Sequence, residues 1–142
     1  MIRLLRNSGT MRDKTLIDTS VWIDYLQNAT ANISERVDKI LAGRNVYVPK
    51  VVVAELIQGA RSEKEIGVIK NFLDAFNIIE EGKDTWLKAG RLSYNLKKKG
   101  KTVNLTDCYI AVMANEHNCS VMTLDKHFKE IQQHEGLRLI EF

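Results

Sequence analysis

The chain has 142 residues, the usual size of a single domain. Hydrophobic residues make up 44% and charged residues 27%, which is typical of a globular protein and excludes a disordered or fibrous chain. The longest uncharged stretch has ten residues, 25–34, whereas a membrane-spanning helix needs ~20 apolar residues. The N-terminus lacks the apolar core of a signal peptide. We therefore expect a cytoplasmic protein that has no membrane partner.

Short apolar runs alternate with amphipathic ones after residues 1–13, which we interpret as a flexible leader. In chain order the first half predicts a strand at 15–17, a helix capped by Thr19 or Ser20, a helix at 34–41 ended by Gly43, a strand at 46–48 and helices at 51–60 and 63–75. The second half predicts a strand at 76–79, a helix at 84–99 ended by Gly100, a helix capped by Thr106, a strand at 120–124, a short helix with Phe128 and Ile131, and a strand at 137–140. This alternation predicts one α/β domain at 14–142, a central parallel β-sheet flanked by helices on both faces.

Four acids fall where such a fold places functional groups. Asp18 directly follows a predicted buried strand, and Asp125 follows another. Asp107 lies in the first turn of a helix, and Glu55 is an acid within the apolar run 51–57. Strand ends and the helix starts that follow them share one edge of a parallel sheet. These four acids are therefore predicted to converge.

A cluster of carboxylates needs compensation, because two unit charges ~4 Å apart repel by ~4 kcal/mol at an effective dielectric of 20. Protonation or a divalent cation supplies it, and oxygen ligands suit Mg²⁺ or Mn²⁺. Each acid also fits a structural role on its own: Asp18 starts a turn, Asp107 complements a helix dipole and Asp125 starts a helix. Glu55 is the exception, since an acid among apolar residues is costly to bury alone. Taken together, the four positions favour a metal site.

The positive charge is concentrated in one segment. Residues 83–101 carry seven basic side chains and one acid, a local charge of +6 in a chain whose net charge is +3. Such a segment suits a polyanion that approaches an acidic site, although it also fits a solvated helix face. Aromatic residues receive packing roles: Trp22 and Trp86 in the core or a dimer contact, and Tyr94 and Tyr109 in packing rather than base stacking.

Four segments around these acids resemble the PIN-domain ribonucleases, most closely the VapC-type toxins of toxin–antitoxin pairs. The segments are 16–24, 53–61, 105–111 and 121–128, and they occur in the family's order. The resemblance covers the chain from about residue 14 to its end. It implies a Mg²⁺- or Mn²⁺-dependent endoribonuclease with a small parallel-sheet sandwich.

The resemblance also implies roles for individual residues. Asp18, Glu55, Asp107 and Asp125 become the catalytic and metal-binding acids, ordered through hydroxyl hydrogen bonds by Thr19, Ser20 and Thr106. Candidate RNA contacts are Arg61, Lys97, Lys98, Lys99 and Lys101. One departure concerns a second metal ion: many relatives have another acid two residues after the fourth, where this chain has His127.

The hypothesis is therefore hydrolysis of RNA phosphodiester bonds by a toxin that forms a homodimer and is silenced by a cognate antitoxin. The alternative is a PIN-like RNA-binding or RNA-processing protein that is not a toxin. A phosphatase of the haloacid-dehalogenase kind is disfavoured, because that group needs a second Asp where this chain has Ser20.

Overall fold

A computed structural model describes residues 13–142 of the chain, so the predicted leader, apart from Asp13, lies outside the described residues. The strands are β1 (Lys14–Ile17), β2 (Val46–Pro49), β3 (Asn77–Ile79) and β4 (Cys119–Met122). The helices are α1 (Thr19–Leu26), α2 (Ala31–Ala42), α3 (Lys50–Gln58), α4 (Glu63–Leu73), α5 (Thr85–Lys98), α6 (Leu105–Glu116) and α7 (His127–His134). Strands and helices alternate as the sequence predicts.

The four strands form one parallel sheet in the order β3-β2-β1-β4. The chain builds outward from β1 to β3 and then returns to the other side of β1, where Ile17 pairs with Met122. The order of strands therefore reverses between β1 and β4. In open parallel sheets, ligand sites form at such a switch point, beyond the carboxyl ends of the strands.

Helices cover both faces of the sheet. Successive residues Leu16 and Ile17 point to opposite faces, and both are completely buried. The same holds for Val121 and Met122 in β4. A sheet that buries both faces needs a helical layer on each side, and this confirms the predicted architecture.

The aromatic residues divide between the core and the surface. Trp22 is completely buried and forms edge contacts with Tyr25 and Phe72, as the core prediction requires. Tyr109 is also buried, but Trp86, which stacks on it at a ring distance of 4.1 Å, is half exposed. The packing prediction for Tyr94 is wrong, because its ring is half exposed on α5 beside Arg91 and Lys98.

Two predicted helix caps are wrong. Thr106 does not cap α6: the helix begins at Leu105, and the Asn104 side chain accepts the backbone N–H of Asp107 at 2.8 Å. Neither Thr19 nor Ser20 caps α1, since both lie inside the helix and Asp18 occupies the cap position. These hydroxyls are therefore available for contacts with other side chains.

Other element ends follow local backbone chemistry. Gly100 adopts a left-handed φ of 78° and ends α5 as predicted, with Lys101 N–H bonded to Leu96 O at 2.9 Å. Gly43 ends α2 without that conformation, which Arg44 adopts instead at φ 58°. The predicted strand at 137–140 is reduced to one bridge between Leu139 and Val121.

Among the described residues, no helix is long and apolar enough to cross a membrane.

Candidate active site

Asp18 lies at the carboxyl end of β1, where the chain leaves the sheet for α1, and only 5% of its surface is exposed. Its Oδ2 accepts hydrogen bonds from Ser20 Oγ and Thr123 Oγ1, both at 2.8 Å. Two donors on one oxygen fix the carboxylate and partly replace the water lost on burial. Its other oxygen receives no hydrogen bond from the described residues, so this oxygen remains available to a ligand.

Glu55 reaches the same edge of the sheet from helix α3, which begins directly after β2. Its Oε1 accepts a hydrogen bond from Thr19 Oγ1 at 2.8 Å, across 36 positions of sequence. The side chain is half-buried, on an otherwise apolar stretch of helix. The placement explains the acid that interrupts the apolar run, because Glu55 points toward Thr19 and the end of β1.

Asp107 lies in the first turn of α6 and is 7% exposed. Its backbone N–H is bonded to Asn104, which fixes the start of the helix. Its Oδ2 is buried and has no hydrogen-bond donor within the part of the chain that the structure describes. A buried carboxylate oxygen without a donor is costly, and a cation is one way to satisfy it.

Asp125 follows β4, and its loop is ordered by its neighbours. Its backbone N–H donates to Thr123 Oγ1 at 3.0 Å, and its Oδ1 accepts the backbone N–H of His127 at 2.9 Å. The imidazole of His127 is close as well, with Nδ1 3.1 Å from the same Oδ1. Thr123 therefore links Asp18 and Asp125 through one hydroxyl.

The four predicted acids converge around Asp107. Burial raises the pKa of Asp107 to about 7, and the charges of Asp125, Asp18 and Glu55 contribute further. The proximity of the Asp125 carboxylate adds to this rise of the Asp107 pKa, because two neighbouring carboxylates favour a proton on one of them. The arrangement thus favours positive charge near Asp107, either as a proton or as a cation.

The donor set fits a divalent cation. Ligand atoms of Asp107, Asp125 and His127 all lie within 4.8 Å of one another, and Asp107 contributes the buried oxygen that lacks a donor. Oxygen donors with one imidazole nitrogen are ligands for Mg²⁺ and Mn²⁺ or for later transition ions. Such an ion would compensate both the repulsion among the acids and the burial of Asp107.

The remaining candidates lie outside this cluster. Thr106 is half-buried, and its hydroxyl makes no hydrogen bond within residues 13–142. Arg61 is exposed, with no ion pair to another described residue. The four lysines surround the end of α5: Lys97 and Lys98 are exposed, Lys99 contacts His134 and Lys101 contacts Gln133.

Sequence reasoning missed the role of Thr123. It was assigned to a strand, but β4 ends at Met122 and the hydroxyl lies in the cluster. The signal was the spacing of Thr123 and Asp125. A Thr hydroxyl can accept the backbone N–H of the residue two positions later in the chain. Asn104 was missed in the same way, although Asn three residues before Asp107 is a usual helix cap.

Comparison with known proteins places this geometry in a family. The sequence matches the PIN domain family over residues 15–133, and the chain belongs to that family. Ribonuclease VapC1 of Haemophilus influenzae (strain R2866) is 28% identical over 122 residues, which cover 83% of this chain and 90% of the relative. The tRNA(fMet)-specific endonuclease VapC of Shigella flexneri is 25% identical over 129 residues, covering 88% of this chain and 95% of the relative.

Solved structures show the same fold. The DNA-bound VapBC of Salmonella typhimurium superposes with a TM-score of 0.76 at 24% identity, covering 90% of this chain and 97% of the other. VapBC-1 of nontypeable Haemophilus influenzae gives 0.72 at 26% identity, with coverages of 89% and 96%. A toxin–antitoxin complex from Klebsiella pneumoniae gives 0.71 at 20% identity, with coverages of 90% and 97%. The resemblance to PIN-domain ribonucleases of the VapC type is thereby confirmed.

Proposed function

We propose that this chain is an endoribonuclease that hydrolyses RNA phosphodiester bonds with a bound Mg²⁺ or Mn²⁺, and that it is the toxin of a toxin–antitoxin pair acting in the cytoplasm. The observation that carries the proposal is the buried Asp107 oxygen without a donor, in a carboxyl group whose pKa the charges of Asp125, Asp18 and Glu55 raise. Relatives named as ribonucleases and as a tRNA-specific endonuclease support RNA as the substrate.

The four acids have distinct tasks in this proposal. A bound divalent cation supplies Lewis-acid polarisation of the phosphate and acidifies water. Asp107 offers a buried carboxylate oxygen for it and Asp18 offers its second oxygen, while Ser20 and Thr123 hold Asp18 in a single orientation. Glu55, oriented by Thr19, and Asp125 complete the negative charge from α3 and from the loop after β4. Hydroxyls of α1 and of the loop after β4 thus keep Asp18 and Glu55 fixed before substrate binds.

RNA reaches this site along a basic surface in our proposal. Lys97 and Lys98 are exposed at the end of α5, and Lys99 and Lys101 lie beyond it against α7. The connection from α5 to α6 has six residues, 99–104, and includes Lys99 and Lys101, whereas Asp107 lies in the first turn of α6. In this proposal the lysines contact RNA phosphates, and Arg61 contributes from the loop after α3.

Two protein partners belong to the proposal. The structural neighbours include VapBC and toxin–antitoxin complexes, which supports a cognate antitoxin. The acidic cluster suits a basic side chain of an inhibitory segment, because a site that attracts a cation also attracts Arg or Lys. A second copy of the chain is the other partner, and the exposed apolar side chains of α5 support it.

The central test is cleavage of total bacterial RNA by Asp107→Asn. The exchange removes a charge at constant volume, so we expect a loss of at least ~100-fold in rate with an intact fold. Asp74→Asn is the matched control, since Asp74 is exposed at the end of α4 and far from the cluster in sequence. Circular dichroism of each variant checks folding. Near-wild-type cleavage by Asp107→Asn contradicts the proposal, and RNA binding without any cleavage by the wild type favours the alternative RNA-binding protein.

A further inference from the structure

His127 is the one imidazole within reach of the acidic cluster among the described residues. It lies in the first turn of α7, two residues after Asp125, and its side chain is exposed. A ring nitrogen lies within 4.8 Å of ligand oxygens of both Asp107 and Asp125. The backbone fixes this placement, because the His127 N–H is bonded to Asp125 Oδ1 at 2.9 Å.

A second observation concerns Asp107, whose buried carboxylate has an oxygen without a hydrogen-bond donor. Only 7% of the Asp107 surface is exposed, so the residue is more than nine-tenths buried. Its Oδ2 has no hydrogen-bond donor in the described part of the chain. The hydroxyl donors of the site all serve other acids: Ser20 and Thr123 donate to Asp18, and Thr19 donates to Glu55. Oδ2 of Asp107 is therefore available to a cation.

We infer that His127 is a metal ligand, and that with Asp107 and Asp125 it forms a mixed nitrogen and oxygen site that prefers Mn²⁺ and later first-row transition ions to Mg²⁺. Mg²⁺ takes oxygen ligands and keeps several waters. Imidazole binds transition ions better, and the affinity of such sites rises from Mn²⁺ along the series to Cu²⁺. Mn²⁺ accepts both kinds of ligand, and so it is the ion that fits this set in the cytoplasm.

The inference rests on the proposed function in one respect, the presence of a cation at the acidic cluster. It goes further by assigning a ligand and a metal preference that an all-carboxylate site lacks. Because His127 is exposed, its replacement tests the metal ligand without disturbing the packing of other side chains. Its replacement removes a ligand without opening a cavity in the core, so the fold is expected to persist.

The test is a direct measurement of metal binding. Wild type, His127→Gln and His127→Asp are titrated with Mn²⁺ and with Mg²⁺ by calorimetry, and each Mn²⁺ complex is examined by pulsed electron paramagnetic resonance for coupling to ¹⁴N. In wild type we expect imidazole ¹⁴N coupling and preference for Mn²⁺ by at least roughly tenfold. Gln should abolish the coupling and weaken Mn²⁺ binding by roughly tenfold, whereas Asp should shift the preference toward Mg²⁺.

His117→Gln is the matched control, because His117 directly follows α6, at the opposite end of that helix from Asp107. It should keep the coupling and the Mn²⁺ affinity. Absence of ¹⁴N coupling in wild type, or equal Mn²⁺ affinities of wild type and His127→Gln, overturns the inference. Cleavage assays separate it from the proposed function: RNA cleavage with no nitrogen ligand refutes only the role of His127, and nitrogen-coupled Mn²⁺ without cleavage refutes only the nuclease.

Discussion

Asp18 and Asp107 are buried to nearly the same extent, but their surroundings differ. Two hydroxyls donate to one oxygen of Asp18, whereas Oδ2 of Asp107 has no donor among the described residues. Burial therefore raises the pKa of Asp107 to about 7. The difference separates two tasks, since a carboxylate held by hydroxyls is already oriented and one without donors is available to a cation.

The pKa of Asp107 has a consequence for stability in the absence of metal. The folded state retains the proton to about pH 7, whereas an unfolded Asp loses it near pH 3.9. Between these values the folded state binds more protons than the unfolded state, so stability falls as pH rises and levels off above about 7. We expect Asp107→Asn to remove this fall, and its advantage in Tm over wild type to grow from pH 4 to pH 7.

Thermal unfolding in a chelator across that pH range measures the effect. Asp74→Asn provides the comparison, since its exposed side chain should change Tm by a similar amount at every pH. An advantage of Asp107→Asn that does not vary with pH would show that the carboxylate carries no excess proton in the folded state.

Thr123 offers a second prediction at the level of one side chain. Thr123→Val keeps the shape but removes a donor to Asp18 and the acceptor for the Asp125 N–H. Since groups that orient ligands contribute ~10–100-fold to metal affinity, we expect Mn²⁺ binding to weaken by that range while the fold survives. Thr102→Val is exposed and makes a suitable control. Unchanged Mn²⁺ affinity in calorimetry is the result that contradicts this role.

At the scale of the elements, agreement between sequence and structure depends on whether the deciding forces are local. The end of α5 at Gly100 was predictable, because its signal lies within a few residues. The start of α4 has a local signal of the same kind, since Ser62 Oγ accepts the backbone N–H of Glu65 at 3.2 Å. The predicted strand at 137–140 is wrong, because apolar residues alone do not decide whether a segment pairs with a sheet. In this segment only Leu139 forms a β-bridge, with Val121 of β4.

The candidate site shows the same division. Local patterns reveal the four acids: Asp18 and Asp125 follow strands, Asp107 lies at a helix start, and Glu55 interrupts an apolar run. Local patterns do not reveal the hydroxyl contacts, because Thr123 and Asp18 are 105 residues apart and Thr19 and Glu55 are 36 apart. The exposure of Trp86 and Tyr94 also depends on tertiary packing, since a helix face that is apolar in sequence need not be covered.

The end of α5 carries a prediction about RNA affinity. Lys97 and Lys98 are the clearest probes, because Lys99 and Lys101 also tie the segment to α7. In an Asp107→Asn background that prevents cleavage, Lys97→Gln with Lys98→Gln should weaken RNA binding. It should also reduce the salt dependence by ~0.7 log units per lost contact per tenfold salt.

Fluorescence anisotropy with labelled single-stranded RNA at several salt concentrations measures both quantities. The control is Lys64→Gln with Lys70→Gln, which removes the same charge from the exposed surface of α4. If both double variants lose the same affinity, the lysines of α5 act only through net charge.

At the scale of the molecule, the surface of α5 carries exposed apolar side chains: Trp86 is 48% and Leu87 is 74% exposed. Charges of both signs surround them, including Lys88, Arg91 and Glu116. Such a mixture suits contact with an identical surface, in which each copy supplies both signs. We predict a homodimer through this face that Leu87→Lys dissociates.

Light scattering coupled to size exclusion at micromolar concentrations decides this prediction. Val68→Lys, on the exposed surface of α4, introduces the same charge in place of a residue that is 54% exposed. It should leave the dimer intact. A wild-type monomer over that concentration range, or a dimer that persists in Leu87→Lys, rules out this interface.

The parallel pairing of β1 with β4 also determines when the acidic cluster can form during synthesis of the chain. Ile17 pairs with Met122, and Asp18 is held by Thr123, so the ribosome must release the chain at least through Asp125 before the site exists. Contacts of such sequence separation form late, after the cost of closing a long loop. A nascent chain therefore lacks the complete acidic cluster until translation has passed Asp125, and under the proposed function it cannot cleave RNA before that point.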